Sequence, residues 1–121
     1  MRKILIVDDE AEIVTILQRF LQLKQYDVTT AANGTEAIER VREARPDVVL
    51  LDINMPGMSG LDVLAEIHAL DPGIGVIMVT AQTDEATGRH ALSNGAFDYI
   101  TKPFNFDYLE KVLWWKLQLM D

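Results

Sequence analysis

Two short apolar runs in this chain each stop at carboxylates. Val48-Val49-Leu50-Leu51 ends at Asp52, just before the turn Asn54-Met55-Pro56-Gly57, and Ile4-Leu5-Ile6-Val7 ends at Asp8-Asp9. A buried strand that stops at a carboxylate aims it into the crevice beyond the strand ends, where open α/β sheets bind ligands. Three acids gathered there repel one another unless a cation offsets them. Two further strand ends bring Thr80 and Lys102. Each residue type has a task in such a crevice. Asp8 and Asp9 can hold a hard divalent cation such as Mg²⁺ through oxygen. Asp52 can serve as a carboxylate nucleophile of the kind that forms an aspartyl phosphate. Lys102 and the cation would neutralise a transferring phosphoryl group, and the Thr80 hydroxyl can donate to one of its oxygens. Taken singly, these residues read as turn formers, helix caps or solvated charges. Their recurrence at the same end of successive strands is what points to a site.

The elements that must position them alternate along the chain. Strands are expected at Lys3–Val7, Asp27–Ala31, Val48–Leu51, Gly75–Thr80 and Phe97–Ile100. The first, third and fourth are continuous apolar runs, which suits strands covered on both faces. The second mixes polar and apolar residues, as an edge strand does. Glu10–Gln22 carries Ile13, Ile16, Leu17, Phe20 and Leu21 at helical spacing. Asn33 with Glu36, and later Ser59, supply helix-capping patterns, and Pro46 marks the end of the second helix. Asp84–Ser93 is the weakest helix because Gly88 interrupts it, and Asn94-Gly95 stops it. Asn105–Met120 forms the last helix. Five βα units predict one α/β domain over residues 1–121, a five-stranded parallel sheet with right-handed crossovers and helices on both faces.

Composition narrows the classes. The chain has 121 residues, enough for one real core. Its net charge of −8 argues against direct nucleic-acid binding by this domain. The absence of cysteine removes disulfide and thiolate chemistry. No apolar run approaches the ~18 residues of a membrane span. Met1-Arg2-Lys3 runs straight into a strand, leaving no room for a signal peptide, so a cytoplasmic location is expected. Asp8-Asp9-Glu10 stands where a Gly-rich dinucleotide fingerprint would, which disfavours a nicotinamide enzyme.

The whole chain resembles the receiver domains of bacterial two-component response regulators. The resemblance is carried by Ile4-Leu5-Ile6-Val7-Asp8-Asp9-Glu10 and by Asp47 through Gly60 around Asp52. Val79-Thr80-Ala81 and Gly95 through Phe104, including Lys102-Pro103, complete it. It implies the flavodoxin-like strand order 2-1-3-4-5. It also implies roles: Asp52 as phospho-acceptor, Asp9 as direct Mg²⁺ ligand, and Asp8 as a ligand acting mainly through water. Asp52 itself and the backbone carbonyl of Asn54 would complete the coordination. Thr80 and Lys102 would contact the phosphoryl group, Tyr99 would turn inward when Thr80 moves, and the Lys102-Pro103 bond would be cis. Asn54 and Gln82 match positions that flank the attacking water and could set the lifetime of the modification.

The implied function is a phosphorylation-activated switch, a phosphoprotein of a two-component phosphorelay. It would receive phosphoryl from a histidine kinase or phosphotransfer protein and change the face formed by helix four, strand five and helix five. It would not be an enzyme, beyond assisting its own phosphorylation and dephosphorylation. Two other readings compete. An aspartate-nucleophile phosphatase would carry its nucleophile after the first strand, with a second Asp two residues on. A phosphorylation-independent docking module would not need the complete site.

On the last helix, Leu109, Leu113, Leu117 and Met120 form an expected core stripe. Tyr108, Val112, Trp115 and Leu119 form a second stripe, with Trp114 elsewhere on the surface. One buried stripe suffices for a covering helix. The surplus points to a partner: an effector domain, another protein, or a second copy in a homodimer. His68 and His90 fall in helices, away from the strand ends.

Overall fold

The computed structural model describes residues 1–81 and 84–120. Five parallel strands, β1 (Lys3–Val7), β2 (Asp27–Ala31), β3 (Val48–Asp52), β4 (Gly75–Ala81) and β5 (Asp98–Lys102), form one sheet in the order β2-β1-β3-β4-β5. They alternate with α1 (Ala11–Leu23), α2 (Gly34–Ala44), α3 (Gly60–Leu70), α4 (Glu85–Ser93) and α5 (Phe106–Leu119). This is the fold and strand order expected from the sequence.

The alternation of strand side chains builds two cores. Ile4, Ile6, Val48, Leu50, Ile77 and Val79 face α1 and α5, where they meet Leu17, Leu21, Leu109 and Leu113. Leu5, Val7, Val49, Leu51, Val76 and Met78 face the other way, toward Ala37, Val41, Leu64, Ile67 and Ala91 of α2, α3 and α4. Successive strand residues point to opposite faces, so a strand covered on both sides must be apolar throughout. Each fully buried aliphatic side chain contributes about 1.5–3 kcal/mol, which holds the central strands and their ends rigidly.

The helix starts follow the sequence signals. Asn33 Oδ1 accepts from the Glu36 N–H at 2.9 Å, and Ser59 Oγ accepts from the Asp62 N–H at 3.2 Å. Each satisfies an otherwise orphaned donor of the first turn. Gly95, just past α4, has φ +102°, a conformation only glycine adopts without strain.

Three expectations need correction. β5 runs from Asp98 to Lys102 rather than from Phe97 to Ile100, because Thr101 and Lys102 pair with Thr80 and Ala81 of β4. Ile16 is half exposed, outside the buried face of α1, which is centred on Leu17 and Leu21. On α5, Val112 is fully buried and Met120 is exposed. The buried face spans Leu109, Val112, Leu113 and Leu117, the broad stripe a sheet-covering helix presents.

Candidate functional site

The sheet order reverses direction at β1 and β3, and the register there sets the site. Val7 pairs with Leu51, so Asp8 emerges beside Asp52. Asp52 pairs with Val79, and Ala81 with Lys102, so the ends of β4 and β5 come level with those acids. The structure thereby brings together Asp8, Asp9, Asp52 and Lys102.

Asp52 is 4% exposed and Asp8 is 3% exposed. Asp52 Oδ1 accepts from the Asn54 N–H at 3.1 Å, and Asp52 Oδ2 lies 3.5 Å from Lys102 Nζ. Asp8 Oδ2 lies 3.2 Å from the same ammonium, and Asp8 Oδ1 accepts from the Glu10 N–H at 2.9 Å. Burial pushes the Asp52 carboxyl up to about 6. The Asn54 bond opposes this, the Asp8 charge adds to it, and Lys102 opposes it. Burial alone would lower the Lys102 ammonium, but Glu10, Asp52 and Asp8 outweigh it and raise its pKa.

Carboxylate oxygens of Asp8, Asp9, Glu10 and Asp52 lie within 4.8 Å of one another. An all-oxygen, acid-rich donor set with two members open to solvent suits a hard cation that keeps part of its water shell, as Mg²⁺ does. The residues therefore fit the implied metal. Asp9 and Asn54 are both exposed at the rim, where water reaches them.

Thr80 is placed differently. It is 1% exposed, and its hydroxyl donates to the Asp84 carbonyl at 3.2 Å, at the start of α4. Asp84 is further tied by the Thr87 hydroxyl, which donates to Asp84 Oδ1 at 2.6 Å. The Tyr99 ring lies against α4 at Gly88, where a Cβ would fall 2.6 Å from Tyr99 Cδ2. The glycine that weakens α4 in sequence thus makes room for that ring. The Lys102-Pro103 bond is cis. Gln82 lies outside the described residues.

Two residues with clear local roles escape a reading of sequence alone. A Cβ at Gly60 would fall 2.6 Å from the Asp52 carbonyl oxygen and from Ile53 Cα, so only glycine lets α3 start against the backbone that carries Asp52. Its signal is a glycine directly after a capping serine. Glu10 makes the shortest contact to Lys102, 2.8 Å from Oε1 to Nζ. In sequence it looks like an ordinary acid at a helix start.

Beyond β5, the Tyr108 hydroxyl donates to Asp98 Oδ2 at 2.6 Å, while Asp98 Oδ1 accepts from the Tyr99 N–H at 2.7 Å. The Asp98 bond, aided by burial and the Asp98 charge, pushes the Tyr108 hydroxyl up to about 12. On α5, Trp114 is 58%, Trp115 50% and Leu119 75% exposed.

A doubly covered parallel sheet with an acid pair, a buried strand-end aspartate and a lysine at its carboxyl edge defines a receiver-type α/β domain. The chain belongs to the response regulator receiver domain family, whose sequence pattern matches residues 4–113. It is 44% identical over 103 residues to the DNA-binding response regulator MtrA of Mycobacterium tuberculosis strain H37Rv, covering 85% of this chain and 45% of that protein. It is 44% identical over 110 residues to the transcriptional regulatory protein ZraR of Escherichia coli K12, covering 91% of this chain and 25% of that protein. The chain thus spans less than half the length of these relatives. Among solved structures, a response regulator receiver domain protein from Clostridium thermocellum superposes with TM-score 0.94 at 32% identity, over 99% of this chain and 97% of that one. The chemotaxis protein CheY4 of Vibrio cholerae superposes with TM-score 0.86 at 34% identity, over 93% and 96%. Membership implies phosphorylation-dependent signalling. Among the described residues, no helix is long and apolar enough to cross a membrane.

Proposed function

We propose that Asp52 accepts a phosphoryl group from the phosphohistidine of a histidine kinase or phosphotransfer protein, and that the modified domain controls an output through its α4-β5-α5 face. The observation that carries this reading is a buried Asp52 carboxylate beside Asp8, with the Lys102 ammonium against both, at the open end of the sheet. An Asp52 oxygen attacks phosphorus, the P–N bond breaks, and the imidazole leaves with its electron pair. Asp8, Asp9, Asp52 and the Asn54 carbonyl would hold Mg²⁺, which when bound supplies charge neutralisation for the transferring group. The phosphoryl dianion then draws in Lys102 and the Thr80 hydroxyl. Thr80 leaves Asp84 as it moves, Tyr99 shifts on α4, and the face that includes Tyr108 is remodelled. This is a two-state equilibrium biased by one local charge event.

The domain is a cytoplasmic switch, assisting its own phosphorylation and hydrolysis without turning over a free substrate. Its output partner is an effector domain, another protein or a second copy, engaged through the aromatic surface of α5. Asn54 and Gln82 set the phosphoryl lifetime. Incubation with acetyl phosphate and Mg²⁺ should add one phosphoryl group by intact mass, and Asp52→Asn should abolish it. Equal uptake by Asp52→Asn would overturn the assignment.

A further inference from the structure

Lys102 has three carboxylate partners before any phosphoryl group arrives. Its ammonium lies 2.8 Å from Glu10, 3.2 Å from Asp8 and 3.5 Å from Asp52. Asp8 and Asp52 are buried, whereas the Glu10 side chain is 60% exposed at the rim. The Glu10 backbone is tied to the acid turn, because its N–H donates to Asp8 Oδ1 at 2.9 Å. That backbone bond starts the Glu10 side chain beside Lys102, within reach of its ammonium.

This geometry sets up a competition. A divalent cation and the Lys102 ammonium want the same oxygens of Asp8 and Asp52. With only those two buried acids as partners, the lysine could not give up their oxygens to a cation without losing every counter-ion it has there. A third carboxylate, closer to Nζ and nearer to water, gives the ammonium another counter-ion. It can then yield the inner oxygens without standing uncompensated, which in a part-buried setting is the costly alternative.

We infer that Glu10 is a positioning residue, which offers Lys102 a counter-ion at the rim and so lets it release Asp8 and Asp52 when a divalent cation binds. It acts through Lys102 and touches neither the donor nor the phosphoryl group. The inference rests on the proposed reading of the acid cluster as a Mg²⁺ site.

The test is a double-mutant cycle read by calorimetric titration with magnesium alone, using the parent, Glu10→Gln, Lys102→Ala and the double variant. Removing the Glu10 charge weakens magnesium binding by general electrostatics in any background. The inference requires an additional weakening of about two- to fivefold when Lys102 is present, the size expected of a part-exposed ion pair. An equal loss with and without Lys102 would show Glu10 acting as a ligand or a bare charge, and would overturn the inference, as would no loss at all. A second arm needs no metal. The side-chain ¹⁵N resonance of Lys102, assigned by its disappearance in Lys102→Ala, should shift in metal-free Glu10→Gln. An unmoved resonance rejects the contact. If the parent takes up no magnesium, the cation-site reading fails, while this arm still decides whether Glu10 holds Lys102.

Discussion

The carboxyl ends of β1 and β3 and those of β4 and β5 line the same crevice but are built differently. On the first side, Asp8 and Asp52 are buried and follow strands packed on both faces. Their Oδ1 atoms are tied to backbone N–H groups two residues on. On the second side, the contacts are exchangeable. Thr80 is bonded to the Asp84 carbonyl, Lys102 is shared among three carboxylates, and Tyr99 rests on a helix that yields space at Gly88. One side is a fixed anionic socket, and the other is a set of groups whose present partners, under the proposed function, are traded for a phosphoryl group. A switch needs both, because a ligand shifts a two-state equilibrium only by what it offers one state over the other.

The sharpest way to separate the two sides is through charge. Asp52 has a folded-state pKa of about 6, above the ordinary carboxylate value, chiefly because of burial. The folded protein therefore binds a proton that the unfolded chain releases, and ionised Asp52 destabilises the fold at pH above about 6. That cost fades as pH falls from 6 toward 4 and is absent once both states are protonated. Asp52→Asn should stabilise the metal-free protein by about 2 kcal/mol at pH 8, with little gain at pH 4. Urea unfolding across pH in the presence of a chelator checks this. A pH-independent difference would mean that Asp52 is not strained by ionisation, and the picture of a fixed anionic socket would fail.

A smaller effect is expected across the crevice. Thr80→Val keeps the shape and removes the hydroxyl, leaving the Asp84 carbonyl without that donor. Such a loss costs about 1 kcal/mol. Magnesium affinity should not change, because Thr80 belongs to the exchangeable side. The response of the α5 surface to phosphorylation should fall instead, read by the fluorescence of Trp114 and Trp115. A Thr80→Val variant with weakened magnesium binding would erase the distinction between the two sides.

The fixed side was the more legible in sequence, for a physical reason. Apolar runs that stop at Asp8 and Asp52 encode burial, direction and endpoint together. The exchangeable side depends on pairing partners far away in the chain. Lys102 has little strand propensity of its own and is a strand residue because β4 extends to Ala81 beside it. Gly88 reads as a helix defect until the Tyr99 ring is seen against it. Glu10 is separated from Lys102 by 92 positions, and no local pattern links them. Val112 falls outside the i, i+4, i+8 row of Leu109, Leu113 and Leu117, which in sequence suggests a narrow stripe, whereas covering a sheet takes a wider face.

The α5 surface carries the smallest expected effect on stability and so the cleanest test of an output role. Trp115 is half exposed, and the buried face of the helix lies elsewhere, along Leu109, Val112, Leu113 and Leu117. Substitutions away from the core and from capping groups usually change stability by less than about 0.5 kcal/mol. Trp115→Ala should therefore leave the unfolding midpoint and acetyl phosphate labelling unchanged. If α5 is the output face, the same substitution should weaken phosphorylation-dependent self-association, measured by light scattering of the phosphorylated protein, or binding to an effector domain. A variant that keeps both, with Trp114→Ala behaving alike, would return these tryptophans to ordinary surface residues. The crevice would then have to signal through α4 and β5 alone.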